Sequence, residues 1–408
     1  MVPCLSRFCA RGLLAAACAA GAMLFALGVK AQILRAWLYA RHGLGFADPY
    51  CTTGYCDYGM FWVAGAMARH GQAAALYGPH YAALAARILP YKTGWWPFVY
   101  PPAILPVAYG VALLPLAAGY YVVSVLVVLA SARLLRAAGL PWRCVAAGLV
   151  SFPAMWTLYL GQLGMLCGAL LVYGLARMHA RPMRAGAALG LLAVKPQYAL
   201  LVPVATLAAR RWRACTAGAA VLGLCLLLSW AVAGAAGWLA YLGPGRAAMR
   251  ALLEQPFPGA YEMMGSSVFW MLRSLGWGVA AAYTGQGAVS LCCVALCWVF
   301  WRRGAENRLP ATLALTLLAS PYGFTGDTAM LCAVLPLLAR PNAHWRNAAL
   351  GWLWAAPAFV PGFVARTGIL PTPLLVLALL GLSLHAKRSH VDVERHSKQS
   401  LSAGPRSS

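Results

Sequence analysis

The sequence predicts an all-α polytopic membrane protein, and three observations carry that prediction. Of its 408 residues, 62% are hydrophobic and only 10% are charged, where a soluble globular chain carries about 25%. Apolar runs of bilayer-crossing length, or close to it, recur from end to end. Basic residues gather in short clusters between those runs. A chain so poor in charge cannot cover itself with a water-facing surface.

The basic clusters fall at 133–143, 177–184, 210–213, 301–308, 340–346 and from 385 onward, and the formal net charge is +24. Lys and Arg placed between apolar runs mark the cytoplasmic loops of a membrane protein. The partner this implies is the anionic lipid headgroup. Nucleic acid is not an expected partner, because its readers concentrate basic residues on one soluble face.

The first run, about 12–29, follows Arg7 and Arg11. A cleaved signal peptide is one reading. A retained first span is the preferred one, since the later clusters require the next segment to begin outside. A long first outer loop is expected over 31–99, with an amphipathic section from Met60 to Leu89 lying at the interface. Trp95, Trp96 and Tyr100 suit an interfacial aromatic belt or a sugar-stacking surface. Pro101-Pro102 opens the next helix, where a missing N–H costs nothing.

Runs follow at 101–117, 118–136, 144–159 and 161–176, the last two separated by the turn Gly161-Gln162-Leu163-Gly164. Further runs cover 185–209, 214–236, 276–300, 309–339, 347–365 and 369–386. Lys195-Pro196-Gln197 interrupts one of them, and Ser320-Pro321-Tyr322-Gly323 another. Broken helices are tolerated at membrane depth where they line a cavity, so both breaks are candidate cavity walls near the outer face. A second outer loop is expected over 237–275. The expectation is one membrane domain over 1–386 with roughly ten to twelve spans, then a disordered cytoplasmic tail over 387–408.

Most of the thirteen cysteines lie in apolar runs, where they read as small buried residues. Cys51 and Cys56 bracket a polar outer segment, and a disulfide is one reading there. No cysteine or histidine spacing suggests a zinc site, so no metal is expected.

The chain holds only eight acids. Five of them, Asp48, Asp57, Glu254, Glu262 and Asp327, fall on the expected outer face. Asp57 lies in Tyr55-Cys56-Asp57-Tyr58-Gly59-Met60-Phe61-Trp62. It is either a helix cap or a general base facing a cavity, able to take the proton of an attacking hydroxyl. A phosphate leaving group would need cations instead. Lys195 is the first candidate, because an ionisable residue inside an apolar run is a functional hypothesis by default; a Lys that snorkels to the interface is the alternative. Arg246, Arg250 and Lys92 are weaker candidates. Gln162 and Gln197 suit either hydrogen bonds to sugar hydroxyls or ordinary turn positions.

Three blocks then suggest a family. The first is Asp57-Tyr58-Gly59-Met60-Phe61-Trp62-Val63-Ala64-Gly65, continuing through Leu76-Tyr77 to Tyr100-Pro101-Pro102. The second is Gly161-Gln162, followed by Lys195-Pro196-Gln197. The third is Ser320-Pro321-Tyr322, leading to Asp327. In order and spacing, over about residues 50–340, the chain resembles glycosyltransferase family 87, the polyprenyl-phosphate-mannose-dependent type of GT-C membrane enzyme.

The resemblance implies a GT-C fold, a periplasmic active site at the bacterial inner membrane, and no cofactor or metal. It implies a polyprenyl-phosphate sugar as donor and a glycan or glycolipid as acceptor. Asp57 matches the family's catalytic aspartate. Lys195 and Arg246 are expected at the donor phosphate, and Tyr58, Trp62, Gln162, Gln197, Tyr322 and Asp327 at the substrates. Three departures stand out. Leu163 follows Gln162 where the family has Asn-Gly, Thr325-Gly326-Asp327 replaces Asp-Tyr-Asp, and Met263-Met264 stands where a basic residue is usual. The expected activity is transfer of a hexose, mannose by analogy, with Asp57 as base. A transporter or lipid flippase, and a non-catalytic partner in envelope assembly, are the competing readings.

Overall fold

The computed structural model describes residues 2–42, 56–89, 97–259 and 262–384. Among these, every regular element is helical, and one isolated bridge pairs Gly265 with Phe324. The tail, Lys92, Trp95, Trp96, Asp48 and the Cys51–Cys56 pairing lie outside the described residues.

Helix α1 (Val2–His42) carries the first apolar run and continues past it. At about 1.5 Å per residue it is roughly 60 Å long, twice the hydrocarbon core of about 30 Å. Helix therefore occupies 31–42, the start of the expected first outer loop. Helices α2 (Cys56–Arg69) and α3 (Tyr81–Ile88) follow. The expectation that Met60–Leu89 lies flat at the interface is corrected for α2. Val63, Ala64 and Met67 are fully buried, and a Cβ on Gly65 would sit 2.0 Å from the Ala108 carbonyl oxygen. Glycine lets α2 press directly onto α4 (Leu105–Val111).

The run at 101–117 is likewise no full-length span. It stops at α4, turns at Leu114-Pro115, and resumes as α5 (Leu116–Ala137). Proline at the start of a helix keeps its geometry but removes an N–H, which explains the break. Helices α6 (Trp142–Leu149) and α7 (Phe152–Leu160) meet at 51°. The turn at 161–163 leads to α8 (Gly164–Arg177). Helices α9 (Pro182–Gly190) and α10 (Val202–Ala208) flank two short 3₁₀ turns that meet at Lys195, the first expected break.

Helix α11 (Trp212–Ala240) is kinked at Gly234 (φ 63°) and runs through a wide turn into α12 (Arg246–Leu253). Helix thus occupies the first half of the expected second outer loop, 237–275. Then come α13 (Val268–Ser274), α14 (Val279–Arg302) and α15 (Arg308–Ala319). The second expected break separates α15 from a 3₁₀ turn at Thr325–Thr328 and α16 (Ala329–Val334). Helices α17 (His344–Ala355), α18 (Val360–Thr367) and α19 (Thr372–Leu384) complete the described chain.

Among the described residues, four stretches are single helices long and apolar enough to cross a membrane, or six if the bent pairs α6–α7 and α17–α18 each count as one span. Seven further apolar stretches of the described residues are 10–17 residues long. Hydropathy runs expected as ten to twelve spans are therefore realised largely as shorter pieces, divided at Pro and Gly. Close crossings hold the pieces together. A Cβ on Gly186 would sit 2.2 Å from the Ala214 carbonyl, and one on Gly190 2.5 Å from that of Gly218. Small residues that let backbones approach are a recurrent device between membrane helices. Outward faces stay apolar: Leu227 and Leu239 on α11 and Leu291 on α14 are about 70% exposed, as lipid-facing residues should be.

Candidate active site

Asp57 sits in the first turn of α2 and is half-buried. Its Oδ2 accepts a hydrogen bond from Gln162 Nε2, across 105 residues of chain. Two neighbours fix this pairing. Gly161 ends α7 in the left-handed region (φ 72°), where glycine pays no steric penalty. A Cβ there would also sit 2.4 Å from the Tyr58 Cβ. The turn therefore seats against α2 only because residue 161 lacks a side chain.

Tyr58, expected at the substrate, is instead a packing residue. It is 1% exposed, its ring meets Tyr120 edge-on at 5.5 Å, and its hydroxyl lies against Gly119. Trp62 is partly exposed and donates from Nε1 to the Leu114 carbonyl at 2.9 Å, bracing the turn before α5.

A second cluster lies beside the first. Proline at 196 disfavours helical backbone at the residue before it, and Lys195 adopts φ −143°, ψ 74°. The helix splits there and the lysine side chain leaves the helical row. Its Nζ donates to Asp327 Oδ1 at 2.5 Å. Tyr198 Oη lies 2.8 Å from the same oxygen and 3.0 Å from the Gly164 carbonyl. A hydroxyl has one proton, so Tyr198 serves one of these acceptors at a time. The backbone N–H of Phe324 donates to Asp327 Oδ2 at 3.0 Å. Lys195 and Asp327 are 5% and 1% exposed, so this is a buried ion pair, held by the charge neutralisation and hydrogen bonding that such burial demands.

The segment around Asp327 is tied on both sides. Ser266 N–H donates to the Gly323 carbonyl at 2.8 Å. Thr325 Oγ1 donates to that of Met264 at 3.0 Å. Thr157 Oγ1, on α7, lies 3.4 Å from the Gly326 carbonyl.

The turn at 161–164 joins the two clusters. Gln162 reaches Asp57, and a Cβ on Gly164 would sit 3.3–3.4 Å from Asp327 Oδ1, Tyr198 Oη and Lys195 Nζ. Helix α8 starts at this point. Its N-cap, Leu163, offers no side-chain acceptor, and the first turn-closing bond is Cys167 N–H to the Leu163 carbonyl at 2.9 Å. The preceding N–H groups form the positive end of a helix dipole, a natural seat for an anion.

The other expected residues lie around this centre. Gln197 is partly exposed and has no side-chain hydrogen bond among the described residues. Arg246 is exposed at the start of α12 and lies, with Arg250, within electrostatic reach of Tyr322. Arg250 Nε pairs with Glu254 Oε1 at 2.7 Å, and that hydrogen bond holds the Glu254 carboxyl below its usual range. Glu262 is fully buried in the loop after α12. Among the described residues, neither of its carboxyl oxygens meets a donor in hydrogen-bond geometry, though the Gly259 backbone lies against one. Burial pushes this carboxyl up.

Tyr198 and Gly164 are the site residues that sequence reasoning missed. Tyr198 had a signal, being three residues after Lys195 and so on the same side of a helical turn. Gly164 had none beyond its place in the turn. Among the described residues, no group of three or more His, Cys, Asp or Glu is arranged to hold a metal. The arrangement offers a half-buried carboxylate to receive a proton and, one turn away, a buried cation beside the N-terminus of a helix.

A family model described as glycosyltransferase family 87 matches residues 98–321. The matched stretch includes Gln162, Lys195 and Tyr198, and leaves Asp57 and Asp327 outside. No curated protein and no solved structure matches the chain.

Proposed function

The chain belongs to glycosyltransferase family 87, and on that premise we propose that it moves a hexose, mannose by family analogy, from a polyprenyl-phosphate donor to a glycan or glycolipid acceptor. Family membership favours transfer chemistry over transport or flipping. The observation that carries the reading is the turn at 161–164, which puts the Asp57 carboxylate and the Lys195 ammonium on either side of one small region.

Asp57 accepts the proton of the acceptor hydroxyl. The freed oxygen attacks the anomeric carbon as the bond from that carbon to the phosphate oxygen breaks, and the sugar transfers with inversion. The pair of electrons leaves with the phosphate, which needs little protonation. Lys195 and the N–H groups at the start of α8 stabilise that charge. Lys195 can then share its three donors between Asp327 and phosphate. Asp327 and Tyr198 position the lysine. Gln162 orients Asp57, Gln197 is placed to meet a sugar hydroxyl, and Arg246 supplies a further positive charge beside Tyr322. The basic clusters favour a site at the outer face of the inner membrane, with the donor's lipid lodged between helices.

The test is transfer by purified protein in nanodiscs supplied with polyprenyl-phosphate mannose and a lipid-glycan extract. Asp57→Asn is expected to lower turnover by about 10²–10⁴-fold, the usual contribution of a general base, while donor binding persists. Undiminished turnover in that variant would overturn the assignment of the base. Absence of transfer from any polyprenyl-phosphate sugar would overturn the donor class.

A further inference from the structure

Three of the basic clusters in the sequence converge away from this site. His179 lies in the connection between α8 and α9, Arg211 is the N-cap of α11, and Arg308 opens α15. The close crossings of Gly186 with Ala214 and of Gly190 with Gly218 ascend together, so α9 and α11 run side by side in one direction. His179, shortly before α9, and Arg211, just before α11, therefore stand at the same end of that pair.

Trp301, near the end of α14, ties the third segment to them. Its ring is buried and stacks on the His179 imidazole, with centroids 6.3 Å apart and planes 25° from parallel. The Arg308 guanidinium carbon lies 4.8 Å from the centroid of the Trp301 ring. Trp301 Nε1 donates to Thr312 Oγ1 at 2.9 Å, and Thr312 Oγ1 donates to the Arg308 carbonyl at 2.6 Å, which fixes α15 against the indole.

Two guanidinium groups and an imidazole are thus gathered with no counter-charge. Arg211 is within electrostatic reach of both His179 and Arg308, and Arg308 of His179. Partial desolvation, then the charges of Arg211 and Arg308, pull the His179 imidazole below its usual range. No carboxylate acts on His179 or on Arg308. Glu306, two residues before Arg308, is exposed and forms no ion pair among the described residues. Among the described residues, the side chains of His179, Arg211 and Arg308 make no hydrogen bond, and Arg211 Nε is sealed from solvent without an acceptor. Like charges drawn together and partly removed from water destabilise a fold unless an opposite charge joins them. Arg211 and Arg308 are only half-buried and His179 is exposed, so a ligand can reach the group from outside.

Shape and setting favour phosphate. A guanidinium fork matches the oxygens of phosphate, and an imidazole N–H adds a further donor. The group lies on the basic side, where anionic headgroups present phosphate. The neighbouring Trp212 is exposed, as an indole at a membrane surface is. Lys195 lies beyond the opposite end of α9, so this is not the place proposed for the donor phosphate.

We propose that Arg211, Arg308 and His179 form a binding site for one phosphate group, contributed by an anionic lipid headgroup or by free phosphate, which clamps the starts of α9, α11 and α15 together.

Thermal unfolding of the full chain tests this in two arms. One uses phosphatidylcholine nanodiscs titrated with inorganic phosphate at constant ionic strength. The other uses nanodiscs of increasing phosphatidylglycerol content without added phosphate. At least one arm is expected to raise the midpoint of the parent saturably, and the arm that responds names the source. R308Q should melt at or above the parent when neither ligand is present, because a repulsion is relieved, and below it when the ligand saturates. R211Q/R308Q should raise the half-saturating concentration by about tenfold or more, as the loss of charge-assisted hydrogen bonds implies. R308K, which keeps the charge and loses the fork, should raise it severalfold, and it is the substitute if the double variant aggregates. A parent midpoint unmoved in both arms, an R308Q variant that melts below the parent with and without ligand, or an equal loss of response in R133Q/R143Q, which removes two exposed charges outside this group, would each overturn the proposal. The readout is binding and uses no sugar transfer, so the transferase reading stands or falls apart from it.

Discussion

Two carboxylates lie on either side of one turn, and they are built for different work. Asp57 is half-buried, and a neutral amide, Gln162, is one of its partners. Asp327 is 1% exposed and takes bonds from an ammonium, a phenol and a backbone N–H. A base must be able to gain a proton and still be reached by substrate. A carboxylate sealed against a lysine is poorly placed for that, but well placed to aim the lysine. The contrast teaches that scarcity of acids did not by itself identify the catalytic one: both are rare charges near one site, and only their surroundings separate them.

Breaking the ion pair should have the largest effect. Lys195→Met leaves Asp327 buried without its counter-charge, and removing one partner of such a pair costs about 3–5 kcal/mol. The unfolding midpoint in nanodiscs should fall sharply. K195M/D327L, which removes both charges, should recover most of that stability and still lack transfer activity. If single and double variants melt together, Asp327 does not depend on Lys195 in the manner described.

A smaller effect is expected on the other side of the turn. Gln162→Ala removes a hydrogen bond to a charged group, a contribution of about 1.5–3 kcal/mol. Expressed in transfer, that is a loss of roughly 10- to 100-fold in kcat, with a smaller fall in melting temperature than in the Lys195 variant. Equal losses of stability from the Gln162 and Lys195 variants would erase the distinction between an orienting contact and a buried pair.

The smallest effect concerns two acids of the loop region, and it has opposite signs. Glu262 is held protonated to higher pH in the folded chain than in the unfolded one. Its stabilising contribution is complete below the unfolded carboxylate value and is lost as pH rises through the folded value. Glu262→Gln should therefore match the parent in acid and be the more stable at neutral pH. Glu254, held low by Arg250, contributes above the unfolded value and loses that contribution as pH falls. Glu254→Gln should cost little, and only at neutral pH, because Arg250 is mostly exposed. Melting curves from about pH 2 to pH 8, a window that brackets ordinary carboxylate values near 4, check both signs.

The helical class and both helix breaks were legible in the sequence, because composition and proline act locally. Proline disfavours helical backbone at the residue before it, and both Lys195-Pro196 and Ser320-Pro321 interrupt helices here. The spans were less legible. Leu114-Pro115 ends what hydropathy treats as a continuous run, and Gly243-Pro244-Gly245 fails to end a helix that composition would stop. At the site, Asp57, Gln162, Lys195 and Asp327 were each singled out, but their partnerships were not. Asp57 and Gln162 are 105 positions apart, Lys195 and Asp327 132. No periodicity reports a contact made by helices that cross in space. Tyr58 was misplaced for the same reason: its neighbours Gly119 and Gly161 come from distant segments, and only their lack of side chains makes room for it.

One consequence follows from the turn at 161–164. It is a common mount for the group that receives the proton and the groups proposed to receive the negative charge. When α7 and α8 shift, both ends of the reaction shift together. The distance between them is thereby insulated from whatever the outer loops do to accommodate an acceptor. Loops of varied length and sequence can then be tried around this mount, and acceptor choice can drift, without retuning the spacing on which bond exchange depends.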